Sequence, residues 1–208
     1  MTMLLVLAIP AGLLALTLTL LYPRGSADGS SGAVLDLDDS QVAVLPDRVR
    51  LVRLDASTSS AAGSLAPLAA KLAVQGFEDA GTFTVDGIPD VTVWLLANRA
   101  QSIYVTLADH AVAGVWYEFT TLYPGGGKWT ITTLTGAGLD SRPGHTVVRD
   151  RGADLLELYL RACSERPLGV FLPATAEQAA AEFENGYAMW MTWRRAHDRT
   201  RAASAEAA

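Results

Sequence analysis

Residues 114–134 read GVWYEFTTLYPGGGKWTITTL. The fold turns on whether the glycines at the centre of this stretch cradle a phosphate or reverse the chain. A phosphate loop of the G-x-x-x-x-G-K-[ST] type needs a first glycine where Leu122 stands and a hydroxyl residue where Trp129 stands. It also opens a helix, whereas β-branched and aromatic residues flank this stretch on both sides. The segment therefore reads as a hairpin turn, with Pro124 presetting one φ angle and the glycines supplying positive φ. A four-residue loop predicts Leu122 opposite Trp129, Thr120 opposite Ile131 and Glu118 opposite Thr133. It puts Glu118 on an apolar face, with Tyr117, Phe119 and Tyr123 on the other.

Outward from the turn, TFTVDGIPDVTVWLL (82–96) holds two alternating runs around a Gly/Pro turn, and SIYVTLADHAVAGVWYEFTTLY (102–123) holds two more joined between Asp109 and Gly114. KWTITTL gives a fifth. Connections this short imply antiparallel neighbours, because a parallel crossover takes a dozen or more residues. SLAPLAAKLAVQGF (64–77) predicts a helix with Ser64 as cap, Pro67 in the first turn, Gly76 at the stop and Leu65, Leu68 and Leu72 on one face. Leu155, Leu158, Tyr159 and Ala162 predict a second helix. Thr175 and Gln178 match a capping box ahead of a third, with Phe183, Tyr187 and Trp190 as its apolar stripe. The expectation is an α+β domain over residues 60–200. It has about five antiparallel strands within 82–134, one helix before them and two after, and residues 135–152 as an irregular loop. Residues 201–208 read as a disordered tail.

Residues 3–22, MLLVLAIPAGLLALTLTLLY, carry no charge. About 20 such residues match the hydrocarbon core of a bilayer, where Pro10 and Gly12 are tolerated. The leading reading of residues 1–23 is a retained single-pass anchor. A cleaved signal peptide is the alternative, with Gly25-Ser26-Ala27 as the cleavage site, but no Lys or Arg precedes the run and it is long for that role. Arg24 alone flanks it, so the side of the membrane on which the C-terminal body lies stays open. Residues 24–59 read as a flexible linker rich in Gly, Ser and Asp, with one extended segment around Val49 and Leu51. Asp36, Asp38 and Asp39 cluster there but lack the rest of an EF-hand pattern, and read as solvated.

The net charge of −6 and the absence of a basic stripe argue against nucleic acid. Cys163, the only cysteine, excludes an intrachain disulfide and a cysteine-cluster metal site. His110, His145 and His197 show no metal spacing, so neither a metal nor a cofactor is expected. GAGLDS (136–141) lacks the last glycine and the following helix of a dinucleotide fingerprint. Within LDSRPGH (139–145), Asp140, Arg142 and His145 place an acid, a guanidinium and an imidazole close in sequence. Such a loop suits anion binding or acid–base work, although a local Asp140–Arg142 pair over a Pro-Gly turn is the more common arrangement. Trp190, Trp193, Arg194 and Arg195 suit either an interfacial helix or ordinary packing with solvated arginines.

LAAKLAVQGFEDAGTFTV (68–85), GVWYEFTTLYPGGG (114–127) and LDSRPG (139–144) together resemble a group of bacterial membrane-anchored proteins with a helix and β-meander domain and no assigned activity. The resemblance spans about residues 60–185. It rests on turn and packing residues and implies no catalytic residue.

Two functional expectations follow. The first is a membrane-tethered, non-catalytic binding or structural module, held to the bilayer by residues 3–22 and open to a protein partner on a sheet face. The second is a hydrolase acting on a small or anionic substrate. There Glu118 would be a general acid raised in pKa by apolar neighbours, Asp140 and His145 would be further catalytic groups with His145 as base, and Arg142 would hold the anion. If the tether exists, the full-length chain stays with the membrane fraction after lysis without detergent. Recovery as a soluble protein, or loss of residues 1–27, would contradict a retained anchor.

Overall fold

The computed structural model describes residues 45–55, 62–111, 113–134 and 142–206. The apolar run, most of the linker with its aspartates, and Asp140 lie outside these residues. Among the described residues, no helix is long and apolar enough to cross a membrane.

The domain is α+β. Among the described residues, seven strands form one sheet in chain order: β1 (Arg50–Arg53), β2 (Glu78–Asp86), β3 (Val91–Asn98), β4 (Ile103–His110), β5 (Gly114–Leu122), β6 (Lys128–Thr132) and β7 (His145–Arg149). Every neighbouring pair from β1 to β6 is antiparallel, and β7 runs parallel to β6. Three helices accompany the sheet among the described residues: α1 (Ala62–Val74), α2 (Leu155–Ser164) and α3 (Ala176–Glu206).

The expectation of five strands therefore needs extension at both ends. The extended segment near Val49 pairs with β2 as an edge strand. At the other end, residues 145–149 form β7 inside the stretch read as irregular loop. Its pairing with β6 is the parallel exception to the expected all-antiparallel order, reached through residues 133–144, about the minimum length for such a crossover.

A larger core lies on the face covered by α1 and α2. Leu65 and Leu72 of α1 and Leu155 and Leu158 of α2 are fully buried against Leu96, Ile103, Leu107, Phe119 and Ile131. Both predicted helices form, but α1 begins at Ala62, so Ser64 lies inside it with its hydroxyl donating to Asp109, and Pro67 falls in the second turn and not the first. Gly76 ends α1 with φ of +82°, as its position suggested. The Asp154 side chain caps α2 by accepting from Leu156 N at 2.9 Å. Phe77, Phe119 and Tyr159 make a three-ring cluster with centroids 5.3–6.3 Å apart.

The opposite face packs on α3. Phe83, Val85, Val93, Leu95, Ala108 and Trp116 meet Ala179 and the partly buried Phe183 and Tyr187. Thr175 and Gln178 do sit at the start of α3, but the Thr175 hydroxyl donates to the Gln178 side chain at 3.3 Å rather than each capping the other's amide. Two neighbouring residues of α3 touch opposite sides of the sheet. Glu184 Oε1 accepts from Leu51 N of β1 at 2.6 Å. A Cβ built on Gly186 would lie 3.5 Å from Lys128 Nζ of β6. The sheet thus curls around α3, consistent with the cumulative twist of antiparallel strands.

Further along α3, Arg194 is buried and ion-paired with Asp198, with 3.1 Å between Nε and Oδ1. Arg195 reaches Asp47 at 2.9 Å and the Leu45 carbonyl at 2.8 Å. Trp193 stacks on His197. The reading of these arginines as solvated is therefore overturned: each is held by the domain's own carboxylates or carbonyls.

Phe119 is fully buried at the centre of the larger core. Phe119→Ala is expected to lower the free energy of unfolding by about 3–5 kcal/mol in urea titration, with an unchanged denaturant slope. A loss under 1 kcal/mol would mean the ring cluster contributes little.

Candidate functional site: a cleft between the sheet and the C-terminal helix

The turn from β5 to β6 spans Tyr123 to Gly127, closed by Tyr123 N donating to Gly127 O at 2.9 Å. Gly125 and Gly126 take φ of +82° and +83°, which a side chain would resist. Its five residues, one more than expected, shift β6 by one position. Leu122 pairs with Lys128, Thr120 with Thr130 and Glu118 with Thr132. A one-residue shift moves every side chain of a strand to the opposite face. Trp129 and Ile131 therefore join Phe119 in the larger core, and Glu118 stands among Lys128, Thr130 and Thr132. The apolar company foreseen for Glu118 is thereby corrected. Its partner is the Thr132 hydroxyl, donating at 3.4 Å, and not Thr133, which bonds the Tyr117 backbone.

This polar part of the sheet faces α3 across a cleft of about 180 Å³. Tyr104, Thr106, Glu118, Thr120, Lys128 and Arg142 line it from the sheet side. Glu182, Gly186 and Met189, spaced i, i+4, i+7, line it from one stripe of α3. Leu95, Ala179 and Phe183 close the end nearest β3.

Burial dominates the electrostatics here. It raises the Glu118 carboxyl above the ordinary carboxylate range, while Lys128, the Thr132 hydroxyl and Arg149 act in the opposite direction. It also lowers the Lys128 ammonium, which Glu118 and Glu182 partly restore and Arg142 lowers further. Each group is thus shifted toward its neutral form. Lys128 makes no ion pair within 4 Å among the described residues. Arg142 likewise has no carboxylate partner there. It contacts the Pro143 carbonyl at 3.4 Å and Met189 Sδ at 3.9 Å.

His145 follows a tight turn, with its N–H bonded to Arg142 O at 3.0 Å and Gly144 at φ of +78°. Pro143 and Gly144 occupy the central positions of that turn as the sequence suggested. The ring Nε2 lies 2.9 Å from Thr130 Oγ1, which is 3.0 Å from Thr120 Oγ1 in the cleft. His145 thus connects to the cleft through two hydroxyls and does not line it. Burial, Lys128, Arg142 and Arg149 together push its pKa down to about 3, so the ring is neutral at physiological pH. Asp140 lies outside the described residues, so the expected Asp140–Arg142 pair is not among the contacts described. His110 accepts from Ala113 N at 3.0 Å inside a turn, His197 stacks on Trp193, and no acid, His or Cys cluster among the described residues could hold a metal.

Of the candidates named from sequence, the structure brings Glu118 and Arg142 to one cleft and sets His145 behind it. Lys128, Glu182 and Gly186 were missed. Gly186 carried a signal, since an isolated glycine inside a helical pattern costs about 1 kcal/mol against alanine and invites a packing or functional reason. No protein-family model, no curated protein and no solved structure matches the chain.

Two measurements test this geometry. Gly186→Ala places a methyl in ordinary contact with Lys128 and should raise stability by about 0.5–1 kcal/mol; marked destabilisation would mean that helix and strand are closer than described. His145 binds its proton less readily folded than unfolded, so the unfolded chain takes up more protons between pH 6.5 and 3. Its contribution is thus fully present above about pH 6.5 and lost as pH falls toward 3. His145→Gln should flatten the acid limb of stability in that window, and an unchanged limb would contradict a neutral, buried ring.

Proposed function

We propose that this chain is a membrane-tethered, non-catalytic binding module that holds a small polar ligand in the cleft between β4–β6 and α3. One observation carries the reading: Lys128 and Arg142 line a single concave site with no carboxylate of the described residues within ion-pair distance, on a face also supplied with Tyr104, Thr106 and Thr120 hydroxyls. Partly desolvated cations that touch no carboxylate directly are costly, and a ligand that pairs them at contact distance recovers part of that cost. Gly186 supports the same reading, because an alanine there would favour the helix but narrow the cleft.

The tether rests on residues 3–22 and their Gly/Ser spacer, which suit a domain held close to a bilayer. A base for hydrolysis would have to act through Thr130 and Thr120, and a His145 pKa of about 3 makes it a weak proton acceptor. That weighs toward binding over turnover. Helices lie on both faces of the sheet, so a protein partner on a sheet face would have to dock beside them.

The test is a fragment screen by NMR on the detergent-solubilised full chain, set against Gly186→Leu, whose side chain fills the cleft. Fragments that shift Thr106, Thr120 and Gly186 resonances in the wild type and not in the variant support the module. Shifts that survive in Gly186→Leu, or no shifts from any fragment, reject the cleft as a ligand site.

A further inference from the structure

From the layout of the cleft we infer that its ligand is a small monocarboxylate, with the carboxylate held between Lys128 and Arg142 and a short apolar body against Leu95 and Phe183. This rests on the cleft being a binding site, and it specifies the chemistry that the site accepts.

Size, polarity and charge argue together. At about 180 Å³ the cleft suits a small ligand. Leu122 beside Lys128, with Tyr123 and Leu172, lines the β5–β6 end, and Leu95, Ala179 and Phe183 close the β3 side, so an apolar body meets apolar side chains beyond the cations. A guanidinium and an ammonium on one site match a carboxylate, the first through its planar fork and the second as a point charge.

The charge count selects a monoanion. Lys128 and Arg142 stand against Glu118 and Glu182, so the empty cleft is formally neutral. A dianion would add two negative charges beside two carboxylates. A monoanion entering with one proton leaves the cleft neutral. Glu118 is the group placed to take that proton, since burial already favours its uncharged form. The other ionisable groups near the cleft are Tyr104 and Tyr123, whose phenols are shifted upward chiefly by burial, His145, neutral behind Thr130, and Arg149. None of these gains a proton as readily near neutral pH. Binding should therefore take up a proton, and affinity should rise as pH falls from neutral toward the acid range.

The experiment is isothermal titration of the detergent-solubilised full chain with sodium butyrate, inorganic phosphate, butyramide and n-butylamine at matched ionic strength. Butyrate titrations are repeated in two buffers of different ionisation enthalpy. The expected result is butyrate binding that weakens about tenfold or more in Lys128→Met and Arg142→Gln, recovers in Lys128→Arg, and takes up as much as about one proton. Lys128→Arg retains the charge without creating a new cavity, so it separates lost pairing from misfolding. Equal or tighter binding of phosphate, or retention of butyrate binding in both charge-removing variants, overturns the monocarboxylate. Binding of butyramide or butylamine in preference to butyrate does so as well, while leaving the cleft as a ligand site. If no probe binds and the fragment screen is also silent, both readings fall together.

Discussion

The bond from Tyr123 N to Gly127 O closes a five-residue turn, and the rest of the domain depends on that length. It fixes which side chains of β6 face α1 and α2 and which face α3. With this register, Trp129 and Ile131 complete the larger core around Phe119, and Lys128, Thr130 and Thr132 complete a polar surface with Glu118 and Thr120. The alternative register would bury the lysine among aromatic rings and turn a tryptophan toward the cleft. Burial of an unpaired ammonium in apolar surroundings is far costlier than the strain of two glycines at positive φ. Turn length and hydrophobic sorting therefore select the same register.

Much of the fold was legible because its signals are local. Leu65, Leu68 and Leu72 recur at helical spacing, as do Leu155, Leu158 and Ala162, and the alternating runs from residue 82 onward are bounded by turn residues. β1 and β7 were harder to read for a shared reason. Each is short and lies at an edge, so its pairing is imposed by the neighbouring strand more than by its own pattern. HTVVR alternates too briefly to stand out from a loop. The β5–β6 register was misjudged because a run of three glycines is compatible with loops of four or five residues, and only the packing of Trp129 decides between them. The site was half legible. Arg142 and Glu118 were named for their chemistry. Lys128 was absorbed into the turn, and Glu182 is an ordinary-looking glutamate on a helix whose exposed side, to a sequence reader, has no reason to face anything.

The two faces of the sheet are built on different principles. The face under α1 and α2 is almost wholly apolar and excludes water. Its stability comes from burial and ring packing. The face under α3 is apolar only from β1 to β4 and becomes charged beyond, so α3 packs firmly along one stripe and stands off the sheet along another. A curled sheet makes this possible. The volume left unfilled between α3 and the sheet falls where the side chains are polar. The cleft is in this sense a by-product of sheet curvature, placed by register over residues able to use it.

The bond from Leu51 N to Glu184 has a meaning beyond packing. β1 ends the sheet on one side, and the amide of Leu51 points away from β2 because Val52 and Leu54 share the opposite phase of the ladder. An outward amide of this kind is what an incoming strand from another molecule would seize. Here a carboxylate from a helix arriving more than 130 positions later in the chain already occupies it. A chain whose synthesis has not yet reached α3 lacks that occupant. The last helix to emerge is then what withdraws this edge from intermolecular strand exchange, so the interval between completing β1 and docking α3 is the period in which self-association through this edge is open.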